Sequence, residues 1–261
     1  MFSPACRGEQ RARASFGVSI VEILVVIGVI GVLIGITVPA LRGARGSAGE
    51  VKSLANLKGI GISIALYADS HADEYPFIEA GRPVTVAPPV MGKRLLQCGY
   101  SPHWLLEGMW PVLMHEVAPW PDHFESWLSP GLHRDRLWPM GCGQAADSSG
   151  DGGWVSYRYV NSLIAAPKVW NGKGDATKDD IRPVRTSNVD HPSHKVVMYD
   201  YDRAYLPGDP TPRTRRPLLF ADGSSSLRLD SDAAAPVRNP LYWNSPRIYH
   251  DTPWGARGRD F

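Results

Sequence analysis

One carboxylate lies in the longest apolar stretch of the chain, at a position where a charge needs an explanation. Glu22 stands near the start of this stretch, and no residue from Ile23 to Leu41 carries a charge. A run of this length can cross the hydrocarbon core of a bilayer, which takes about 20 apolar helical residues. An ionised carboxylate at membrane depth is costly and is by default a functional candidate. Glu22 therefore needs a cation as its partner.

The residues on either side of Glu22 form a recognisable processing signal. A short segment with three arginines and one glutamate precedes Gly17, and Val18 follows it. Glu22 is the fifth residue after this glycine, and Pro39 lies further along the apolar run. The arrangement resembles the N-terminal signal of the type IV prepilin family, which includes the pseudopilins of type II secretion. Val18 departs from the larger first mature residue that is usual there.

The resemblance implies a role for each of these residues. A prepilin peptidase would cleave after Gly17, and the new N-terminus at Val18 would be N-methylated. In the family, the carboxylate at the position of Glu22 pairs with the new α-amino group of the next subunit and sets the axial register. The proline at the position of Pro39 often kinks the helix. The protein would then be a substrate of enzymes and not itself an enzyme.

The same resemblance implies a location and a set of partners. The chain would cross the inner (cytoplasmic) membrane once, with its N-terminus inside and its head in the periplasm or outside. Its partners would be the prepilin peptidase and methyltransferase, other pilin-like subunits, an inner-membrane assembly platform and the lipid bilayer. The product would be a pseudopilus or a type IV pilus-like filament for protein secretion or surface attachment.

Other interpretations of the N-terminal stretch remain open. It could be a signal-anchor helix whose Glu22 reaches the membrane interface, so that the protein is an anchored exterior binding domain outside any filament. A cleaved secretory signal peptide fits less well, because the apolar run is long and no clear A-x-A site follows it. Substitution of Glu22 separates a filament subunit from a simple anchor.

Apolar residues continue at helical spacing beyond the membrane stretch. Leu54, Leu57, Gly61, Ile64 and Tyr67 recur at steps of three and four, which predicts an amphipathic helix to about Ser70. The polar residues Lys52, Asn56 and Ser63 are predicted to lie off this stripe. The helix should end between Asp69 and Glu74, because Pro76 cannot continue it and favours an extended residue before it.

The remaining chain predicts a small antiparallel sheet, and hence an α+β fold that resembles a pilin. Strands are predicted over 154–162, 195–200, 217–224 and 227–229, because these segments are rich in β-formers. Asp222-Gly223 between two apolar runs predicts a hairpin. It resembles the closing FADGS hairpin of pilin-like heads, although Pro212 stands where many relatives have a histidine. Seven of the nine Trp lie over 104–170 and are predicted to pack the core.

These patterns divide the chain into five parts. They are a leader (1–17), a transmembrane half-helix (18–41), an amphipathic half-helix (42–75), a globular head (76–230) and a poorly ordered or surface-wrapping tail (231–261).

Two further sets of residues could carry chemistry in the head. Cys98 and Cys142 would remain after the leader is removed, and an exterior compartment would permit a disulfide between them. Five aspartates in or near Gly-rich loops offer oxygen ligands that suit Ca²⁺, although solvated loop acids are the commoner outcome; they are Asp147, Asp151, Asp175, Asp179 and Asp180. No other cofactor is predicted.

Composition and motif content exclude several classes of function. The formal net charge is +2 and the 28 basic residues are not gathered into one block, so no nucleic-acid partner is expected. The sequence contains no G-x-S-x-G, H-E-x-x-H or phosphate-binding loop. A structural or assembly role fits these absences better than catalysis.

Overall fold

A computed structural model describes residues 19–78, 89–90, 93–94, 103–132, 155–206, 208, 210–211 and 213–261. The helices are α1 (Ile20–Ser70), α2 (Leu106–Met114) and α3 (Trp120–His123). The strands are β1 (Pro89–Val90), β2 (Lys93–Arg94), β3 (Tyr157–Tyr159), β4 (Val196–Asp200), β5 (Arg215–Phe220) and β6 (Ser225–Leu229). Single 3₁₀ turns occupy His103–Leu105, Phe124–Trp127, Asn161–Leu163, Pro167–Trp170, Lys178–Asp180, Thr186–Asn188, Pro192–His194, Asp230–Asp232 and Gly255–Arg257.

The chain divides into two compact units, Met1–Ala44 and Arg45–Phe261, and α1 contributes residues to both. In the first unit every described residue is exposed, including the whole apolar run. Its length and composition allow it to cross a membrane, although a signal sequence near an N-terminus meets the same criteria. Pro39 lies within α1, and the helix continues on both sides of it.

The second half of α1 buries one face in the head, as its periodicity predicts. Leu57, Ile60 and Ile64 are almost fully buried. The predicted stripe is wrong at two polar positions, because Asn56 and Ser63 are buried with it. Asn56 can be buried because its side-chain amide donates two hydrogen bonds inside the head, whereas an unpaired amide would be costly there.

The end of α1 lies where the sequence places it. The helix stops at Ser70, and the chain turns through Ala72 and Asp73, which both have positive φ. The backbone N–H of Tyr75 then donates to the carbonyl oxygen of Val184 at 2.8 Å. The chain is therefore held against the head as soon as it leaves the helix.

The head is built on a four-stranded antiparallel sheet in the order β3-β4-β5-β6. All four strands were expected from the sequence, with somewhat different ends. The hairpin between β5 and β6 is confirmed, and Gly223 adopts the positive φ of +79° that this turn requires. β4 and β5 are almost wholly buried, whereas β6 is half-buried at one edge of the sheet.

Large aromatic side chains fill the core around this sheet, as predicted. Trp104, Trp110, Trp127 and Trp170 are buried. The indole N–H of Trp110 donates to the carbonyl oxygen of Tyr157 at 2.8 Å, which satisfies its buried polar atom. Trp110 and Trp127 also meet edge to face, with ring centroids 5.3 Å apart.

The C-terminal segment differs from the predicted tail. Residues 231–261 belong to the same compact unit as the sheet. His250, Asp251, Thr252 and Asp260 in this segment are all buried. The sequence suggested a surface segment because it is rich in Pro and Arg, but its polar side chains have partners inside the head that local sequence does not reveal.

Candidate functional site

Glu22 lies in the first turn of α1 and caps it. Its Oε2 accepts a hydrogen bond from the backbone N–H of Ser19 at 2.8 Å. The hydroxyl oxygen of Ser19 accepts in turn from the N–H of Val21 at 3.3 Å. Ser19 is thus the N-cap and Glu22 the third helical residue of a capping box. The S-x-x-E spacing is visible in the sequence and was not used to predict the helix start.

The capping contact leaves the carboxylate of Glu22 accessible. The residue is exposed, and its second carboxylate oxygen has no hydrogen bond among the described residues. A carboxylate also favours a helix N-terminus electrostatically. Glu22 can therefore cap its own helix and still accept a hydrogen bond from an external cation. The predicted cleavage and methylation positions, Gly17 and Val18, lie outside the described residues.

In the head, a chain of buried polar side chains joins α1 to the sheet. We call it the polar seam, and it consists of Ser53, Asn56, Ser129, Tyr157 and Asp200. Asp200 is at its centre and is fully buried. Its Oδ2 accepts from the hydroxyls of Ser53 at 2.6 Å and Ser129 at 2.9 Å. Its Oδ1 accepts from the backbone N–H of Arg203 at 2.9 Å.

The polar seam continues from Asp200 back to the helix. The hydroxyl of Tyr157 donates to Ser53 Oγ at 3.2 Å and accepts from the amide of Asn56 at 3.1 Å. Asn56 also donates to the carbonyl oxygen of Leu128 at 3.2 Å. Burial raises the pKa of the Asp200 carboxyl. The two helix residues that make these bonds, Ser53 and Asn56, lie on one face of α1. The bonds therefore fix the rotation of α1 about its own axis.

A second buried group ties the sheet edge to the C-terminal segment. Arg216 in β5 makes a bidentate ion pair with Asp230, with contacts of 2.8 Å and 2.6 Å. The hydroxyl of Tyr249 donates to Asp230 at 2.9 Å. Burial acts to raise the pKa of Asp230, but the hydrogen bonds and charge of Arg216 hold it below its ordinary value. Arg216 also donates to the carbonyl oxygen of Asp200 at 2.7 Å. The next residue of β5, Pro217, has no backbone N–H to donate.

A third group surrounds His250, which is completely buried. Its Nδ1 accepts from the backbone N–H of Asn161 at 3.2 Å, so its Nε2 carries the proton and donates to Tyr199 Oη at 2.7 Å. Burial, with the positive charge of Arg247, lowers the pKa of His250 well below its ordinary value. Glu107 lies 3.8 Å from Nδ1 and is paired with Arg247 at 2.7 Å.

This histidine makes the stability of the head depend on pH. Because the folded state binds the proton less readily than the unfolded state, acidification below about pH 6.5 favours unfolding. Because of His250, we expect the free energy of unfolding to fall by up to about 1.4 kcal/mol for each pH unit of acidification. Urea unfolding followed by Trp fluorescence at several pH values measures the slope. His250→Gln should flatten it, whereas His194→Gln at an exposed position should not; equal slopes in all three proteins would contradict the assignment.

The predicted calcium ligands do not meet in one place among the described residues. Asp175 accepts from the side-chain amide of Asn171 at 2.8 Å. Asp180 caps a 3₁₀ turn at Thr177 and lies 3.6 Å from Lys168 Nζ. Asp179 is exposed. No group of three or more His, Cys, Asp or Glu that could hold a metal occurs in the described part of the chain.

Four other predicted head residues cannot be placed. Asp147, Asp151, Cys98 and Cys142 lie outside the described ranges. The disulfide and a calcium site that uses the first two aspartates stay predictions.

Sequence reasoning missed the polar seam and the groups around Asp230 and His250. Ser, Asn and Asp on helices and strands usually face solvent, so no local signal predicted that these side chains are buried. The exception is Lys195, a charged residue that directly precedes the apolar residues 196–198 of a buried strand.

No protein-family model, no curated protein and no solved structure matches the chain.

Proposed function

We propose that this protein is a pilin-like, pseudopilin-type structural subunit. It is processed after Gly17, N-methylated at Val18 and assembled through its N-terminal helix into a pseudopilus or type IV pilus-like filament. The observation that carries the proposal is the uncharged, fully exposed surface of α1 from Ile23 to Leu41, with Glu22 at its start. An apolar surface of this extent needs lipid or other apolar helices to cover it.

The head supports the same proposal in a different way. The second half of α1 is held against the sheet by the polar seam and by apolar residues such as Leu57 and Ile60. The helix is thereby part of the exterior domain as well as the candidate membrane anchor. A subunit that assembles through its helix needs such an attachment, because the helix must carry the head into the assembly.

Mass spectrometry of the N-terminus tests the processing step. We expect protein isolated from its host membranes to begin at N-methylated Val18, because cleavage after Gly17 and methylation are the two modifications that the signal specifies. The measurement is the N-terminal peptide of the purified protein. A chain that begins at Met1 contradicts prepilin processing, and one that begins beyond Leu41 indicates a cleaved secretory signal instead.

A second function is favoured by one observation on the head. Trp243 is 88% exposed, and it neighbours Tyr242, which stacks on the buried Trp104 with ring centroids 5.6 Å apart. An exposed indole on a rigid aromatic support is a surface that a ligand or partner can cover. It fits a membrane-anchored exterior binding domain that does not assemble into a filament. For such a protein, substitution of Glu22 changes little.

A further inference from the structure

One lysine of the head is completely buried beside a carboxylate from the far end of the chain. Lys195 lies immediately before β4 and has no exposed surface. Its Nζ is 3.1 Å from Oδ2 of Asp260, which is also buried. The two residues are 65 positions apart in the sequence. The pair therefore joins the strand at the centre of the fold to the C-terminal segment.

Two more groups complete the surroundings of this pair. The hydroxyl of Thr252 accepts a hydrogen bond from Lys195 Nζ at 2.7 Å and makes a short hydrogen bond to Oδ1 of Asp260. The backbone N–H of Val196 donates to Oδ2 of Asp260 at 2.7 Å. One carboxylate oxygen is thus polarised by a backbone donor, and the other is linked to the amine through a hydroxyl.

The low polarity of this position disfavours the charged form of the Lys195 amine. Burial lowers the pKa of the Lys195 amine, and the Asp260 carboxylate opposes that effect. Transfer of one proton from Nζ to the carboxylate gives a neutral amine beside a carboxylic acid. A neutral, desolvated lysine amine is a nucleophile, and Cγ of Asp260, an electrophilic carbon, is bonded to the oxygen that lies 3.1 Å from Nζ.

We propose that Lys195 and Asp260 condense to form an intramolecular amide bond. The lone pair of Nζ attacks Cγ of Asp260, and the negative charge that develops on Oδ2 is stabilised by the N–H of Val196. The hydroxyl of Thr252 takes a proton from Nζ and passes one to Oδ1. The Cγ–Oδ1 bond then breaks, and Oδ1 leaves as water. No oxidant, metal or cofactor is needed.

The bond would change what holds the C-terminal segment in place. An ion pair can open when the segment detaches, whereas an amide closes a loop from Lys195 to Asp260 permanently. Such a cross-link restricts the unfolded chain and so favours the folded state. A domain that is exposed outside the cell would gain resistance to unfolding without using a cysteine.

Digestion of the unfolded full-length protein with trypsin tests the proposal directly. In the cross-linked protein, trypsin cannot cut at Lys195. We expect a peptide of residues 186–203 that carries residues 260–261 as a branch, with a mass one water below the sum of the two peptides. Cleavage after Lys195, together with the free 260–261 dipeptide, would overturn the proposal, as would a water loss that maps to any other residue.

Variants separate the amide from a simple ion pair. Lys195→Arg keeps the positive charge and the N–H donors but cannot condense, so its intact mass should show no water loss. Asp260→Asn removes the carboxylate that takes the proton from Nζ, so this variant should likewise show no mass loss and no branched peptide. If a variant fails to fold, the digest of the unaltered protein alone decides.

Discussion

Replacement of Glu22 with alanine should abolish co-assembly of the protein with other subunits while leaving the protein in the membrane. In the proposed filament, this carboxylate pairs with the α-amino group of a neighbouring Val18 in an apolar environment. Removal of one partner of a buried ion pair leaves the other charge uncompensated and costs about 3–5 kcal/mol. That loss corresponds to at least about a hundredfold weaker association.

The capping box at Ser19 makes a matched control possible. Glu22→Gln keeps the side-chain oxygen that caps the backbone N–H of Ser19, because Gln serves the same position in capping boxes. It removes only the charge. If the charge acts in assembly, both variants should fail to co-assemble; if Glu22 matters only as a cap, Glu22→Gln should behave as the unaltered protein.

Co-purification of tagged and untagged copies from host membranes measures this effect. Membrane content and cleavage after Gly17 are followed in the same samples, because a defect in insertion or processing would also prevent assembly. Normal co-purification of the Glu22→Ala protein would contradict the register role and favour an anchored binding domain.

Replacement of Asp200 with alanine should cause the largest loss of stability in the head. The carboxylate accepts hydrogen bonds from Ser53, Ser129 and the backbone of Arg203, and all three donors are buried. A buried donor without an acceptor costs about 1–3 kcal/mol. We expect a loss of about 3 kcal/mol or more in the free energy of unfolding, measured by urea denaturation.

Asp200→Asn is the control for the shape and hydrogen bonding of this residue. Its amide oxygen can still accept from the N–H of Arg203, and its amide can donate to the serine oxygens. Because burial raises the pKa of Asp200, the charged form is already disfavoured at this position, and removal of the charge is tolerated. The loss should stay within about 1 kcal/mol. Equal losses in the two variants would show that hydrogen bonding at Asp200 is not what holds α1 to the sheet.

The two predictions concern opposite ends of one helix. Glu22 lies near its start, where every residue is exposed, and the polar seam lies in its second half, where one face is buried. Gly49 lies in the second half of α1 and packs against the head. The side chain of Tyr205 leaves no space for a Cβ at this position. The first part of the helix is thus exposed, whereas its second half packs one face against the head.

Local sequence signals were sufficient to predict several helices, strands and turns of this protein. Apolar spacing predicted α1, and the polar residues before Pro76 predicted its end, which the structure places at Ser70. Asp222-Gly223 predicted the hairpin, because a glycine is needed where φ is positive. Segments rich in β-formers predicted β3 to β6. Each of these signals acts over a few residues, so no knowledge of distant parts of the chain was required.

The burial and the contacts of the polar residues, in contrast, depend on the folded arrangement of distant segments. Asn56 and Ser63 look solvent-facing by periodicity, yet both are buried, and Asn56 bonds to Tyr157, 101 positions away. Asp200 and Ser53 are 147 positions apart, and Lys195 and Asp260 are 65. Hydrophobic spacing reports where apolar groups leave water. It is silent about polar groups, whose burial becomes favourable only when the folded chain supplies a distant partner.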